Sequence, residues 1–256
     1  MAIEEILAGL KSAGDIAQAI SKTPGYKIFI NKLRPAKKIL LVGESGSGKT
    51  QFLKVLQKKA EVVENSTMIV NTVVITLPNG RRLEITDTPG QQTLQDQRIK
   101  AENDICKKKY DGIINLVCYG YQASSDTKIE DVFQTGTSTV KQVYLEDNRK
   151  KEIKQVDEWI TRIDSNSSVD WVLTIVNKAD IWYAERRDVI GYYNSTYRDE
   201  LNKIANFKKI PVVPYCCVIA PFCDKPMTLA MGEKEKHAMH IFLLQNLSEL
   251  LHIQWK

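Results

Sequence analysis

The sequence contains no long hydrophobic run, and its longest apolar stretches, residues 39–42 and residues 169–176 with an interruption at Asp170, have the length of β-strands. A membrane-spanning helix needs about 20 apolar residues, so this pattern argues against one. No internal repeat or low-complexity tract is present, and 43% hydrophobic with 26% charged residues is typical of a globular chain. Residues 1–10 carry two glutamates and no basic region, which argues against a signal peptide.

Cysteine and histidine are also scarce. The five cysteines show no paired spacing beyond the adjacent Cys216 and Cys217, which favours a reduced, cytoplasmic setting. Of the three histidines, His237 and His240 lie one helical turn apart, but no third ligand accompanies them. The histidines therefore do not predict a metal site.

The net charge is only +5, a small excess of basic residues. The basic clusters are short and are scattered among acidic residues. Solvated helix ends and faces account best for this pattern. A basic patch for nucleic acid or anionic lipid is the alternative, and it would require clusters distant in sequence to converge.

Strands alternate with helices along the chain, which predicts an α/β three-layer sandwich with helices on both faces of a mostly parallel sheet. The Asn79-Gly80 turn predicts a hairpin, so one of six strands should be antiparallel and lie at an edge. The predicted strands are residues 37–42, 68–77, 82–86, 112–119, 169–176 and 211–216. The predicted helices are residues 48–59, 95–108, 148–163, 184–207 and 234–251.

The first motif is GESGSGKT, residues 43–50, a full match to the phosphate-binding pattern G-x-x-x-x-G-K-[ST]. It follows an apolar strand and opens a helix, as its mechanism demands. The glycines let backbone N–H groups surround a phosphate, and the helix N-terminus adds positive partial charge. Lys49 would reach the outer phosphates, and the Thr50 hydroxyl would ligate Mg²⁺.

The second motif is Asp87-Thr88-Pro89-Gly90, at the end of the predicted strand 82–86. An aspartate at the carboxyl end of a strand beside the phosphate loop can hold Mg²⁺ through water. Gly90 can bring its N–H against the terminal phosphate, because no side chain intervenes. The motif alone is common, and it gains force from following the first one across a hairpin.

The third motif is Asn177-Lys178-Ala179-Asp180, directly after the strand 169–176. The Asp180 carboxylate can accept from N1–H and the 2-amino group of guanine. Adenine offers neither donor there, so it would leave a desolvated, unpaired charge. The aliphatic stem of Lys178 can lie over the base.

Together the three motifs resemble the G1, G3 and G4 boxes of TRAFAC-class P-loop GTPases, the Ras-like and Era-like G domains, over residues 37–251. The resemblance implies the P-loop NTPase fold, Mg²⁺ as cofactor, GTP and GDP as ligands, and hydrolysis of GTP as a molecular switch. Where the family has Ser-Ala in its G5 element, this chain has Cys216 and Cys217. A backbone N–H to guanine O6 would survive that change, whereas the support from the serine side chain would be altered.

The resemblance also implies a switch I threonine that contacts Mg²⁺ and the γ-phosphate. Thr67 is favoured because it ends a polar loop before the hairpin strand, with Ser66 and Thr72 as alternatives. Thr72 is expected inside the strand.

In Ras-like members a glutamine after the G3 glycine orients the attacking water, and Gln91 stands there. The alternative is a solvated switch II residue, since Gln92 and Gln95 are close in sequence. Potassium-dependent members instead place an asparagine in the phosphate loop. Gly46 occupies that position here, which argues against this route.

The site therefore comprises three predicted groups. The catalytic residues are Gln91, Lys49 and Thr67, and the metal ligands are Thr50, Thr67 and Asp87. The predicted nucleotide contacts are Gly43, Glu44, Ser45, Gly46, Ser47, Gly48, Lys49, Thr50, Gln51, Asp87, Gly90, Asn177, Lys178, Asp180, Cys216 and Cys217.

Two additions extend the predicted G domain, residues 35–256. The first is an amphipathic N-terminal helical extension, residues 1–34, whose apolar face could pack on the G domain, meet a partner or second copy, or contact a membrane. Membrane contact is the least favoured, because the polar face carries both signs and the stripe lacks Trp and Phe. The second is an insertion near residues 120–147, either a partner surface or an ornament packed on the sheet.

Three functions fit these residues. A GTPase switch is favoured over a GTP-dependent binding or scaffold module with negligible hydrolysis, and both would use the same pocket. The third function, an ATP-dependent P-loop enzyme, requires the match of residues 177–180 to a guanine-binding motif to be a coincidence. A protein partner is expected through the switch loops, the N-terminal helix or the 120–147 insertion, and no strong nucleic-acid signal is present.

Overall fold

The computed structural model describes residues 25, 34–57, 72–77, 80–88, 103, 105–123, 127–163, 169–205, 207–223, 225 and 231–251. Its strands form one six-stranded sheet in the order β2-β3-β1-β4-β5-β6, with β2 antiparallel to β3 and every other pair parallel. The strands are β1 (Lys37–Val42), β2 (Thr72–Thr76), β3 (Arg82–Asp87), β4 (Gly112–Val117), β5 (Val172–Val176) and β6 (Val212–Pro214). The predicted mostly parallel sheet with one antiparallel edge strand is confirmed.

The helices of the described part connect these strands. They are α1 (Lys49–Leu56), α2 (Ile129–Val132), α3 (Gln142–Arg162), α4 (Ala179–Trp182), α5 (Arg186–Asn194), α6 (Thr196–Ile204) and α7 (Glu233–Leu250), with a short 3-10 turn at Tyr183–Glu185. Within those ranges no helix is both long enough and apolar enough to span a membrane.

The central strands owe their place to continuous apolar sequence. Every residue of β4 and of β5 is buried, as expected for parallel strands that are covered on both faces. Strand β2 is instead only partly buried, and Val74 is 56% exposed. The hairpin to β3 closes through a bond from the Leu77 N–H to the Arg81 carbonyl, 2.8 Å.

Two helix predictions need correction. Helix α3 begins at Gln142, not at 148, because Leu145 and Asn148 already lie on the buried stripe that continues through Val156. Part of the predicted 120–147 insertion is therefore helix. The predicted long helix 184–207 is divided at Ser195, whose φ of −118° and ψ of −95° lie outside the helical region.

The rest of the predicted insertion packs partly on the core. Val132 and Phe133 are buried, and an antiparallel bridge joins Phe133 to Val140. Ile129 and Val143 remain exposed. The N-terminal extension, residues 1–34, lies almost entirely outside the described residues, so its role stays a prediction.

Candidate functional site

The phosphate-binding sequence lies between β1 and α1, as its mechanism requires. Gly48 adopts φ +97°, in the left-handed region that favours glycine, and the helix starts at the next residue. A Cβ on Gly48 would lie 2.6 Å from Nδ2 of Asn177, so a side chain there would collide with the guanine-motif residue. The first motif therefore needs glycine at position 48 partly because Asn177 of the third motif packs against it.

Lys49 lies inside this turn and is buried. Its Nζ donates to the carbonyl oxygen of Gly43 at 2.7 Å and to that of Glu44 at 3.4 Å. Burial lowers the pKa of Lys49, and the negative charges of Asp87 and Glu44 oppose that shift. The ammonium is thus held at the loop that would surround a phosphate, near Asp87.

Asp87 ends β3 next to β1, where it pairs in register with Leu41. The following residue, Thr88, donates to the Leu41 carbonyl from both its N–H, 3.1 Å, and its Oγ1, 3.0 Å. Burial raises the pKa of Asp87 to about 6, opposed by the charge of Lys49. The carboxylate is fixed beside the phosphate loop.

The residues here fit a divalent cation. Oδ1 of Asp87 is buried and has no hydrogen-bond partner among the described residues. Thr50 is exposed in the first turn of α1 and brings the hydroxyl predicted to ligate Mg²⁺. A carboxylate and a hydroxyl oxygen suit Mg²⁺, which keeps several waters. Throughout the described ranges, no cluster of three or more His, Cys, Asp or Glu side chains that could hold a metal occurs.

Asn177 joins three segments of the site. Its Nδ2 donates to the Ser47 carbonyl at 2.9 Å, and its Oδ1 accepts from the Cys217 N–H at 3.1 Å. Its carbonyl accepts from the Trp182 indole N–H at 2.8 Å. The phosphate loop, the end of β5 and the segment after β6 are therefore held together by one buried amide.

Asp180 faces the segment that follows β6. Its Oδ2 accepts from the Ala220 N–H at 3.3 Å. The Cys216 sulfur lies 3.5 Å from its Oδ1 and 3.3 Å from the Val218 carbonyl oxygen, so the one S–H can donate to either acceptor but not to both. Burial raises the pKa of Asp180, and the contacts with Ala220 and Cys216 oppose the shift. Cys216 thus lies beside Asp180, at the position where the resemblance implies a serine, and Cys217 donates its N–H to Asn177.

Lys178 adopts a left-handed conformation, φ +59°, and opens helix α4. Its Nζ donates to the Tyr121 carbonyl at 2.6 Å and lies 5.2 Å from the Phe222 ring centroid. The ammonium is held between two loops, beside Asp180, whose carboxylate is predicted to read the base.

The remaining predicted residues divide into two sets. Ser47 is buried and Gln51 is exposed, while Glu44, Ser45 and Gly46 are half-buried in the loop. Thr72 lies inside β2, as predicted, with its Oγ1 3.4 Å from that of Thr86. The other residues with predicted roles or alternatives lie outside the described part: Ser66, Thr67, Gly90, Gln91, Gln92 and Gln95.

The sequence patterns missed two components of the site. The Ala220 N–H at Asp180 is a backbone group and has no residue signature. Glu152, on α3, is buried and bonded to the chain just after β4. Glu152 lies one helical turn from both Asn148 and Val156, so its spacing places it on the inward face of α3. Because a glutamate is rarely fully buried without a partner, this spacing indicates that Glu152 has hydrogen-bond partners in the core.

Comparison with known proteins identifies one family. A family model described as 50S ribosome-binding GTPase matches residues 38–178, more than half of the chain. The matched range contains the phosphate loop, the Asp87 motif and the first part of the guanine motif, and it ends just before Asp180. No curated protein matches the chain.

Proposed function

Because the chain belongs to the family of 50S ribosome-binding GTPases, within the TRAFAC-class P-loop GTPases, we propose that it hydrolyses GTP to GDP and acts as a molecular switch. The observation that carries this proposal is the buried Asn177 amide, which bonds the phosphate loop and the segment carrying Cys217. Phosphate and base would therefore be bound by parts of one rigid assembly.

Base selection would fall to Asp180. Its carboxylate is buried and accepts from a backbone N–H at 3.3 Å, and the weak thiol donor 3.5 Å away is shared with the Val218 carbonyl oxygen. Two guanine donors would satisfy it better than this pair, whereas adenine would leave it desolvated and unpaired. This arrangement supports GTP over ATP.

At the other end of the site, Lys49 would exchange its bonds to the Gly43 and Glu44 carbonyls for phosphate oxygens. The backbone N–H groups of the loop would bind the phosphates as α1 begins. Thr50 and Asp87 would hold Mg²⁺, with Thr67 as the proposed switch I ligand. When bound, Mg²⁺ supplies positive charge that neutralises the β- and γ-phosphate oxygens.

For the hydrolytic step, Gln91 is the proposed water-positioning residue. It follows Gly90, whose N–H would contact the γ-phosphate, so its side chain would stand where water attacks in line. A glutamine amide can accept from that water and donate to the transferring group. Loss of the γ-phosphate would then release the switch loops.

A single-turnover assay tests this function. Purified protein with GTP and Mg²⁺ is expected to release phosphate, and excess GDP but not ADP should suppress the reaction. Binding of GTP without turnover would favour the scaffold module instead. Equal competition by ADP would contradict the assignment of Asp180 to base reading.

Partner and location are also part of the proposal. A protein partner would dock through the switch loops, the N-terminal extension or the exposed positions Ile129 and Val143 of the 120–147 insertion. All five cysteines lie in the described part of the chain and none is joined there in a disulfide, which supports a reducing, cytoplasmic location. GTP-locked protein used as bait would identify the partner.

A further inference from the structure

A short loop after β4, residues 118–123, contacts both ends of the predicted nucleotide site. At one end, a Cβ on Gly46 would lie 2.2 Å from the Ala123 carbonyl oxygen, so the loop backbone rests directly on the phosphate loop. At the other end, the Tyr121 carbonyl accepts the Lys178 ammonium at 2.6 Å. This 118–123 loop therefore contacts both Lys178 and the phosphate loop, which are predicted to bind the two ends of the nucleotide.

The loop is held by one carboxylate on α3. Oε1 of Glu152 accepts from the Cys118 N–H at 2.9 Å, the Gly120 N–H at 3.2 Å and Nε2 of Gln122 at 2.8 Å. Glu152 is only 1% exposed. Three donors from one loop converge on a single buried oxygen, which is more than core packing requires.

Tyr193 of α5 completes this arrangement. Its hydroxyl donates to Oε2 of Glu152 at 2.6 Å and accepts from the Tyr119 N–H at 2.9 Å. The loop is thereby tied to α3 and α5 at once. Asn148 adds a bond from Nδ2 to the Gly120 carbonyl at 3.0 Å, which fixes a residue with φ +86°.

Loss of the Glu152 carboxylate would destabilise the observed conformation of the 118–123 loop. Burial raises the pKa of Glu152, and the bonds from Tyr193, Cys118 and Gly120 oppose that shift. Without the carboxylate, the two backbone N–H groups would be buried and unpaired unless the loop moved to reach water. Movement of the loop would take the Tyr121 carbonyl away from Lys178.

We propose that Glu152 is a positioning residue for the guanine nucleotide: through the 118–123 loop it fixes the Lys178 ammonium and the backbone that rests on Gly46. The proposal rests on the proposed GTP binding. Glu152 itself touches neither predicted ligand group, so it acts through the loop.

The test compares Glu152→Leu, which is close in size to glutamate but offers no acceptor, and Tyr193→Phe with the control Tyr197→Phe. Tyr197 is also fully buried and its ring packs on that of Tyr193, 4.9 Å between centroids, but its hydroxyl accepts from Asn115 and not from the loop. Tyr197→Phe keeps this ring contact and therefore reproduces the loss of a buried hydroxyl without removing a hydrogen bond to the 118–123 loop or to Glu152. Amide hydrogen exchange is measured at residues 118–120 without nucleotide, and affinity is measured with fluorescently labelled GDP.

The two loop variants are expected to exchange these amides at least about tenfold faster and to bind labelled GDP about five- to thirtyfold more weakly, through faster dissociation. Tyr197→Phe should leave both measurements near wild type even where its melting temperature falls. If Glu152→Leu does not fold, Tyr193→Phe carries the test alone, because it removes two of the hydrogen bonds and leaves the carboxylate in place.

Faster exchange with unaltered GDP affinity would overturn the proposal, since the loop would then not position the site. An equal loss of affinity in Tyr197→Phe would also overturn it, because general destabilisation would explain the effect. Wild-type protein that binds no guanine nucleotide would overturn the proposed function together with this inference. Wild-type binding with unaltered variants overturns this inference only.

Discussion

The Cys216 sulfur lies 3.5 Å from Oδ1 of Asp180, within reach of a weak S–H donor. Burial raises the pKa of Cys216 to about 12, so the thiol keeps its proton at neutral pH and can donate. The residue at the position where the resemblance implies a serine therefore keeps a donor that can reach the predicted base-reading carboxylate. It is a weaker donor, and the Val218 carbonyl oxygen, 3.3 Å from the same sulfur, competes for it.

The relationship predicts opposite effects of two small substitutions. Cys216→Ser supplies a stronger donor of similar size and should leave GDP affinity equal or raise it a few-fold. Cys216→Ala removes the donor and should lower affinity by about threefold to tenfold, on the order of 1 kcal/mol. Calorimetric titration with GDP measures both, and equal affinity in the two variants would show that this contact does not support the site.

Asp180→Asn should change base preference. An amide offers a donor where guanine needs an acceptor, so GTP affinity should fall at least about tenfold, because hydrogen bonds to charged groups are worth ~1.5–3 kcal/mol. Affinity for xanthosine triphosphate, whose 2-oxo group accepts, should rise. Asp170→Asn is the matched control, because its carboxylate pairs with Lys208 away from the site. GTP affinity unchanged in Asp180→Asn would mean that this residue does not read the base.

Lys49→Ala should weaken nucleotide binding by about tenfold to 150-fold. The ammonium is buried at the Gly43 carbonyl, and a charge-assisted bond to phosphate is worth ~1.5–3 kcal/mol. Lys54→Ala, on the same helix but outside the phosphate loop, should bind as wild type does. If Lys49→Ala binds GTP normally with an unchanged circular dichroism spectrum, the phosphate-loop assignment is wrong.

Gln91→Leu should leave GTP binding nearly unchanged and slow hydrolysis at least about tenfold, a barrier rise of ~1.4 kcal/mol. Leucine can neither accept from the attacking water nor donate to the transferring group. Single-turnover rates are compared with those of Gln92→Leu, which should match wild type. If wild type turns over and Gln91→Leu keeps pace with it, the catalytic role belongs to Gln92 or to the backbone.

Alkaline pH should destabilise the fold through buried tyrosines. Burial and the neighbouring Glu152 raise the pKa of Tyr193 well above its ordinary value of 10.0. In the unfolded chain the phenol ionises near pH 10, whereas in the folded chain it stays protonated, so stability is present below pH 10 and is lost as pH rises beyond it.

Tyr193→Phe isolates this contribution. Between pH 10 and 11 the free energy of unfolding of wild type should fall more steeply than that of the variant, by up to ~1.4 kcal/mol per pH unit for one proton. Urea unfolding at several pH values measures both slopes. Parallel slopes would show that Tyr193 ionises equally in both states and is not buried as described.

The sheet was predictable because its central strands are rich in apolar residues, its β2 and β3 strands alternate, and an Asn-Gly turn joins those two. The start of α3 was missed because Gln142 follows a polar stretch, and only the tertiary burial of Leu145 and Asn148 makes it helical. The division at Ser195 carries no proline or glycine, so local sequence could not reveal it.

The same contrast holds for the site. Lys49, Asp87, Asn177 and Asp180 follow strands or open helices, where sequence motifs and strand ends predict convergence. The partners of Asp180 and Lys178 are the Ala220 N–H and the Tyr121 carbonyl, which are backbone groups. Any residue type supplies those groups, so only the fold determines where they lie.

Thr88 donates two hydrogen bonds to the Leu41 carbonyl oxygen, and they separate a fixed part of the site from a part that can adjust. Leu41 belongs to the strand that carries the phosphate loop, so Asp87 and that loop keep a constant separation. Under the proposed function, exchange of GDP for GTP would leave this carboxylate where it is. On the second motif's side of the site, movement that reports the nucleotide to a partner would then start beyond Thr88, so this residue would separate the part that binds from the part that signals.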